Sequence, residues 1–263
     1  MFSPIYIDLY GKCRCGKVEA FQQLVQMGDE GDELARGYHA MMLLRSTIST
    51  IPKNKPQATN LFNDILPWLF QNRHDDVFNS AHIWYILAVC LLEDIGIDGI
   101  QDKVRGIYYH ELAVSKGHAL ALCDLAICYD VGDGVKQNIP RALSYYLLSA
   151  EKGFPVAQNN ASLCYEYGEG CAVDWGKAVQ YANLAAAQGY SGALYSLTVH
   201  HMYGTGVVAN PEKAIEYCRQ GAAQGDLDSL YVLGDSYVRG YAVYEDARKG
   251  FELVLSAAER QHE

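Results

Sequence analysis

The sequence predicts an all-α fold, a right-handed α-solenoid of stacked antiparallel helix pairs. Three observations carry that expectation. First, glycines recur every 36 residues in two phases: Gly117, Gly153, Gly189 and Gly225, and Gly96, Gly132, Gly168, Gly204 and Gly240. Second, a third phase is always small (Gly106, Ala142, Ala178, Ala214, Gly250), and a fourth is Tyr109, Tyr145, Tyr181 and Tyr217, continued by Leu253. Third, apolar and small residues between these punctuation marks fall at helical spacings of three and four. One period held in four phases marks an architecture in which a single unit cannot bury its apolar face alone.

The elements follow in order. Residues 1–30 are expected to form an N-terminal helical cap and 31–82 a divergent repeat, with helical stretches at 33–45 and 58–72. Between them lies 51–56, a loop by its two prolines. A weak repeat spans 83–118, its loop at 96–99 departing from the pattern. Clear 36-residue repeats then occupy 119–154, 155–190, 191–226 and 227–263, making 1–263 a single solenoid. In the unit 155–190, Ala157, Ala161, Ser162 and Tyr165 form one helical face, and Gly168-Glu169-Gly170 reverses the chain. Asp174 caps the second helix, as do Asn138 and Asn210 in neighbouring units, while Pro211 sits where its missing N–H costs nothing. Helix pairs are expected near 119–131/139–152, 155–167/174–188, 191–203/211–224 and 227–239/244–260.

Charge narrows the partner. With 21 basic and 31 acidic residues the chain carries −10, a field that repels phosphate backbones and argues against nucleic acid. Residues 1–10 lack a basic flank, and Asp8 interrupts their apolar run, so no export signal is read there. The most apolar stretch, 83–92, is too short for membrane insertion, which needs about 20 residues. A cytoplasmic protein with reduced thiols is the expectation.

The same residues resemble the Sel1-like repeat, a relative of the tetratricopeptide repeat. The matching segments are Leu233-Gly234 with Tyr237, the loop from Gly204 to Val207, Lys213-Ala214 with Tyr217, and Ala222-Ala223 with Gly225. The resemblance implies an adaptor or scaffold that holds another protein or peptide. One secreted, cysteine-rich branch of that family binds small antibiotics and ties each repeat with a disulfide from the end of its second helix. No cysteine here lies near 150–154, 186–190 or 222–226, which argues against that branch.

Chemistry-bearing residues have structural readings. Cys13 and Cys15 form a C-x-C motif without a second pair at zinc-finger spacing, and read as free surface thiols. Cys128 and Cys164 share a repeat phase and read as core. Cys164 and Cys171 would stand about 10 Å apart on a straight helix, beyond the roughly 7 Å limit for bridging. His201 replaces the repeat tyrosine of Tyr129, Tyr165 and Tyr237 and is expected inside, His200 outside. Glycine loops lack the lysine of a phosphate loop. The carboxylate pairs Glu166/Glu169 and Asp130/Asp133 flank helix ends in solvated loops. No catalytic residue, metal ligand or cofactor site is expected.

Function is therefore placed in the groove that first helices line in related repeats. Read by repeat phase, it presents Trp84, Leu87, Leu91, Cys123 and Asp130, then Asn159, Glu166, Tyr167, Tyr195, Met202, Tyr203, Tyr231, Asp235 and Arg239. Aromatic anchors beside a few charges suit a peptide. Two other classes stay open: a small-molecule binder or hydrolase like the cysteine-rich branch, and a structural subunit of a larger assembly.

Overall fold

The computed structural model describes residues 5–45, 53–73, 80–93 and 102–260; the loop at 96–99, the start of the 51–56 loop and the last three residues lie outside them. Among the described residues every element is a helix. In the first compact unit, Met1–Ala157, these are α1 (Ile5–Arg14), α2 (Val18–Asp29), α3 (Glu33–Arg45), α4 (Lys55–Asn72), α5 (Ser80–Leu92), α6 (Lys103–Ser115), α7 (Ala119–Val131) and α8 (Ile139–Glu151). The helix α9 (Pro155–Tyr167) begins in that unit and continues into the second, Gln158–Glu263. There it is followed by α10 (Trp175–Ala187), α11 (Ser191–Tyr203), α12 (Pro211–Ala223), α13 (Leu227–Arg239) and α14 (Ala247–Arg260). The all-α repeat fold expected from the period is therefore present, with helix α3 where the divergent repeat puts it and α4 starting three residues earlier. Lys55 and Pro56 belong to that helix rather than to the loop, because Asn54 caps it by accepting from the Gln57 N–H at 3.0 Å.

Local chemistry ends and starts these helices where the period demands. Asn138, Asp174 and Asn210 accept from the N–H groups of Arg141, Lys177 and Lys213 at 3.1, 3.0 and 2.9 Å. At the other end, Gly132, Gly168, Gly204 and Gly240 adopt positive φ of 81°, 75°, 72° and 65°, a region closed to most residues. The small phase has a packing cause. A Cβ on Gly106 would stand 2.7 Å from Leu92 Cγ, and one on Gly250 would stand 2.7 Å from the Gly234 carbonyl. Helices α5 and α6, and α13 and α14, close on each other through those gaps.

The first unit is built around aromatic and imidazole rings. Tyr38, fully buried, bonds His82 Nδ1 at 2.7 Å and His118 Nε2 at 3.0 Å, and stacks on Tyr6 and Tyr85. His118 also caps α7, its Nδ1 accepting from the Ala121 N–H at 3.2 Å. That bond fixes the proton of the neutral ring on Nε2, and protonating Nδ1 would break the cap. In the second unit the core is lighter: Val179, Ala182 and Leu197 form one cluster, Ile215, Cys218 and Leu233 another.

Buried histidines make stability depend on pH. Burial pushes His110 down to about 4, and burial with neighbouring imidazoles pushes His118 well below its ordinary value. Both groups bind protons more tightly in the unfolded chain, where imidazole titrates near 6.5. Their stability is thus complete above about pH 6.5 and is lost as pH falls toward the folded values. His110 alone accounts for about 3 kcal/mol at roughly 1.4 kcal/mol per unit. Urea melts at about pH 7.5 and about pH 5 should show a clear loss of stability at the lower value. A flat profile would contradict the burial of neutral rings.

Candidate functional site

The second unit carries a row of aromatic side chains on the first helix of each pair. Tyr167, at the end of α9, is 66% exposed, Tyr203, at the end of α11, 72%, and Tyr231, on α13, 57%. Tyr195 lies half-buried among them. Burial first, then the carboxylates of Asp228 and Asp226, then Tyr167 and Tyr203 push its phenol above the ordinary value. Tyr167 is raised too, foremost by the Glu166 charge, then by burial and by a hydrogen bond to Glu166. Arg239 donates to Asp235 Oδ1 at 2.7 Å, and the side chains of Tyr231 and Tyr203 lie close enough to influence it. These mutual influences place Tyr167, Tyr195, Tyr203, Tyr231, Asp235 and Arg239 in one neighbourhood.

Other residues chosen by repeat phase fall elsewhere. Asn159 is buried, its Oδ1 lacking a partner among the described residues, so its amide is not offered at the surface. Glu166 is half-buried with Oε2 3.7 Å from His200 Nε2, and Met202 is half-buried, its carbonyl accepting weakly from Tyr241 at 3.5 Å. Trp84 belongs to the first unit, half-buried, its indole N–H donating to the Arg73 carbonyl at 2.9 Å. Leu87, Leu91 and Cys123 are core, not groove. The cause is packing: α5 is covered by α3, α4 and α6, and 12 of its residues are buried. A helix buried all round leaves no face for a groove.

Two further expectations need correction. Cys13 on α1 and Cys15 in the turn that follows it are buried rather than at the surface, and burial pushes their thiols up to about 12 and about 11. Thiols so raised hold almost no nucleophilic thiolate at neutral pH. His200 is the more deeply buried of the doublet, because its Nδ1 reaches over the helix end to Thr205 Oγ1 at 2.8 Å. His201 does replace the repeat tyrosine: it stacks on Tyr217 at 5.7 Å, as Tyr165 stacks on Tyr181 at 5.8 Å. A cation recurs in phase with these pairs, Arg141 over Tyr129 at 4.3 Å, Lys177 over Tyr165 at 5.0 Å and Lys249 over Tyr237 at 4.3 Å. The 36-residue spacing of Arg141, Lys177, Lys213 and Lys249 was a signal available in the sequence.

Nothing in the sequence singles out the charged cluster of the first unit. Arg45 donates to Asp124 Oδ2 through Nη1 at 2.6 Å and to Glu93 Oε1 through Nε at 3.0 Å, and Tyr85 donates to Asp124 at 3.1 Å. Burial alone would raise the Asp124 carboxyl, but Arg45 and His110 outweigh it and hold it below the usual range. Arg45, Glu93 and Asp124 border a pocket of about 480 Å³ together with Tyr10, Lys53 and apolar side chains.

The comparisons with known proteins bear on fold and family. The Sel1 repeat model matches residues 85–118, 119–154, 155–190, 191–226 and 227–262. Among solved structures, c5321, a protective antigen present in uropathogenic Escherichia coli strains and displaying an SLR fold, is 23% identical with a TM-score of 0.65. The alignment covers 91% of this chain and 48% of that one, so the chain spans about half its length. A Sel1 repeat protein from Oxalobacter formigenes is 20% identical with a TM-score of 0.68, covering 78% of this chain and 82% of that one. No curated protein sequence matches. Sel1 repeat proteins typically serve as protein-interaction scaffolds, and among the described residues no helix is long and apolar enough to cross a membrane. Five matched repeats and the shared helix-pair fold place this chain in the Sel1 repeat family.

Proposed function

We propose that the protein is a non-catalytic scaffold that binds a segment of another protein along the tyrosine row of its second unit. One observation carries the reading: three exposed tyrosines stand on three consecutive first helices, with the half-buried Tyr195 on the middle one. Large rings held on helices supply contact area at a low ordering cost, which is how a few anchors come to dominate an interface. The surrounding charge selects the segment. Glu166, Glu169, Asp226, Asp228 and Asp235 stand against Arg239, and the whole chain is acidic at −10. A segment with Lys or Arg beside an aromatic or aliphatic anchor complements that surface. We place the protein in the cytoplasm, where its eight cysteines, seven of them buried, stay reduced.

Selection of a random peptide library against the whole protein tests the proposal. Enriched peptides should combine basic and large apolar residues, and their binding should weaken with added salt as exposed charges are screened. A selection that enriches no such peptides, or peptides whose binding ignores Tyr167→Ala and Tyr231→Ala together, would overturn it.

A further inference from the structure

Helix α14 carries apolar side chains at positions that the earlier repeats cover. In the second unit, each second helix packs against the first helix of the repeat after it. Val179 and Ala182 of α10 cluster with Leu197 of α11, and Ile215 and Cys218 of α12 cluster with Leu233 of α13. One period on, the counterparts of Ile215 and Cys218 are Phe251 and Val254 of α14. Val179 and Ile215 are buried, whereas Phe251 is 65% exposed and Leu255, one turn further, 59%. Residues three and four apart share a helix face, so Ala247, Phe251, Leu255 and Ala258 form one stripe, and all four are exposed. A repeat that closes a stack ordinarily turns a polar face outward, and a contiguous apolar surface marks a contact site.

We propose that this stripe is a homodimer interface, covered by α14 of a second copy lying antiparallel across a twofold axis. The stripe is self-complementary in that direction. About a midpoint between Phe251 and Leu255, Phe251 of each copy meets Leu255 of the other, a leucine seated where Leu233 sits on Ile215. Ala247 then faces Ala258 of the second copy, so the large side chains meet at the centre and small ones let the helix ends approach. Charge follows the same register. Arg248 and Glu259 lie on one edge of the stripe, and the antiparallel turn sets Arg248 of each copy beside Glu259 of the other. Glu259 has no ion partner among the described residues. Arg248 holds Glu252 in its own helix, but both side chains are exposed, and such a pair contributes little. In the dimer Arg248 lies between Glu252 of its own helix and Glu259 of the second copy. Repulsion between two chains of −10 is screened at physiological ionic strength. A helix of 14 residues spans only about 21 Å, so the buried area falls below that of a standard interface and the dimer forms at micromolar concentration.

The stripe is on a second helix and the tyrosine row on first helices, so either reading stands without the other. Sedimentation equilibrium of the full chain, from about 2 to about 200 µM to bracket a micromolar dimer, tests it. The mass should rise from monomer to dimer across that range. Phe251→Asp should stay monomeric throughout, and its melting temperature in dilute solution should match wild type because the side chain is exposed. Arg248→Glu should weaken the dimer about fivefold, the effect of an exposed ion pair. Adding Glu259→Arg to that variant should restore the affinity, since the swap only exchanges the two ends of each pair. These charge variants lie on open surface and decide the matter should Phe251→Asp fail to fold by circular dichroism. A monomer at every concentration would overturn the proposal and leave the stripe to a helix of a different protein. Association that ignores Phe251→Asp, or a double charge variant that restores nothing, would overturn it equally.

Discussion

Asp124→Ala should destabilise the protein by about 3 kcal/mol, the low end of the cost of breaking a buried ion pair by removing one partner, since the pair is largely but not fully buried. Arg45 would keep Glu93, but Glu93 is the more exposed carboxylate of the two, and Asp124 contributes the shorter contact at 2.6 Å. The hydroxyl of Tyr85, fully buried, would also lose its acceptor. The remaining guanidinium charge then sits against Tyr10 and His110 without its main counter-charge. Chemical denaturation measures the loss. Asp124→Asn should cost less, since the amide keeps an oxygen for Tyr85 and Arg45. Equal stability of wild type and Asp124→Ala would show that the cluster is solvated rather than buried.

Gly206→Ala should cost about 3 kcal/mol, from overpacking against a fixed backbone together with a strained φ. Gly206 has φ of 74°, and a Cβ there would stand 2.4 Å from the carbonyl oxygen of Trp175. The contact dominates the cost. In the next repeat the same phase is Ala242, which adopts φ of 53°, so the backbone angle alone is tolerated. Gly153→Ala supplies the control: its φ is 87°, but nothing lies within 4 Å of its Cβ position. It should cost only about 1 kcal/mol, the ordinary price of a left-handed alanine. Thermal melts of the two variants compare them directly. Equal effects would mean that the approach of the loop to Trp175 is not tight.

The repeat period made the second unit legible almost residue by residue. Gly204, Asn210 and Pro211 act locally, as stop, cap and first turn, and local chemistry is what a sequence displays. Phase arithmetic also put Tyr167, Tyr203 and Tyr231 on the exposed side of their helices, where the structure has them, because first helices there keep an open face. It failed in the first unit for a physical reason. Helices α3, α4 and α6 cover α5, so Leu87 and Leu91 occupy groove positions by count and core positions in space. His200 escaped because its exposure is decided by a bond to Thr205 beyond the helix end. The pocket was invisible for a different cause: Arg45, Lys53, Glu93 and Asp124 come from distant parts of the chain, and no local spacing announces a cluster assembled by tertiary packing.

The central claim is that the exposed tyrosines serve a partner and not the fold. Tyr203 is the residue on which to test it, being 72% exposed where Tyr195 is half-buried and would mix binding with packing. The measurement pairs the affinity for a selected peptide with the melting temperature, for wild type and Tyr203→Ala. The expected result is a loss of about 2 kcal/mol in binding, as for an interface anchor, with the melting temperature almost unchanged. Unaltered affinity with a large fall in melting temperature would contradict it.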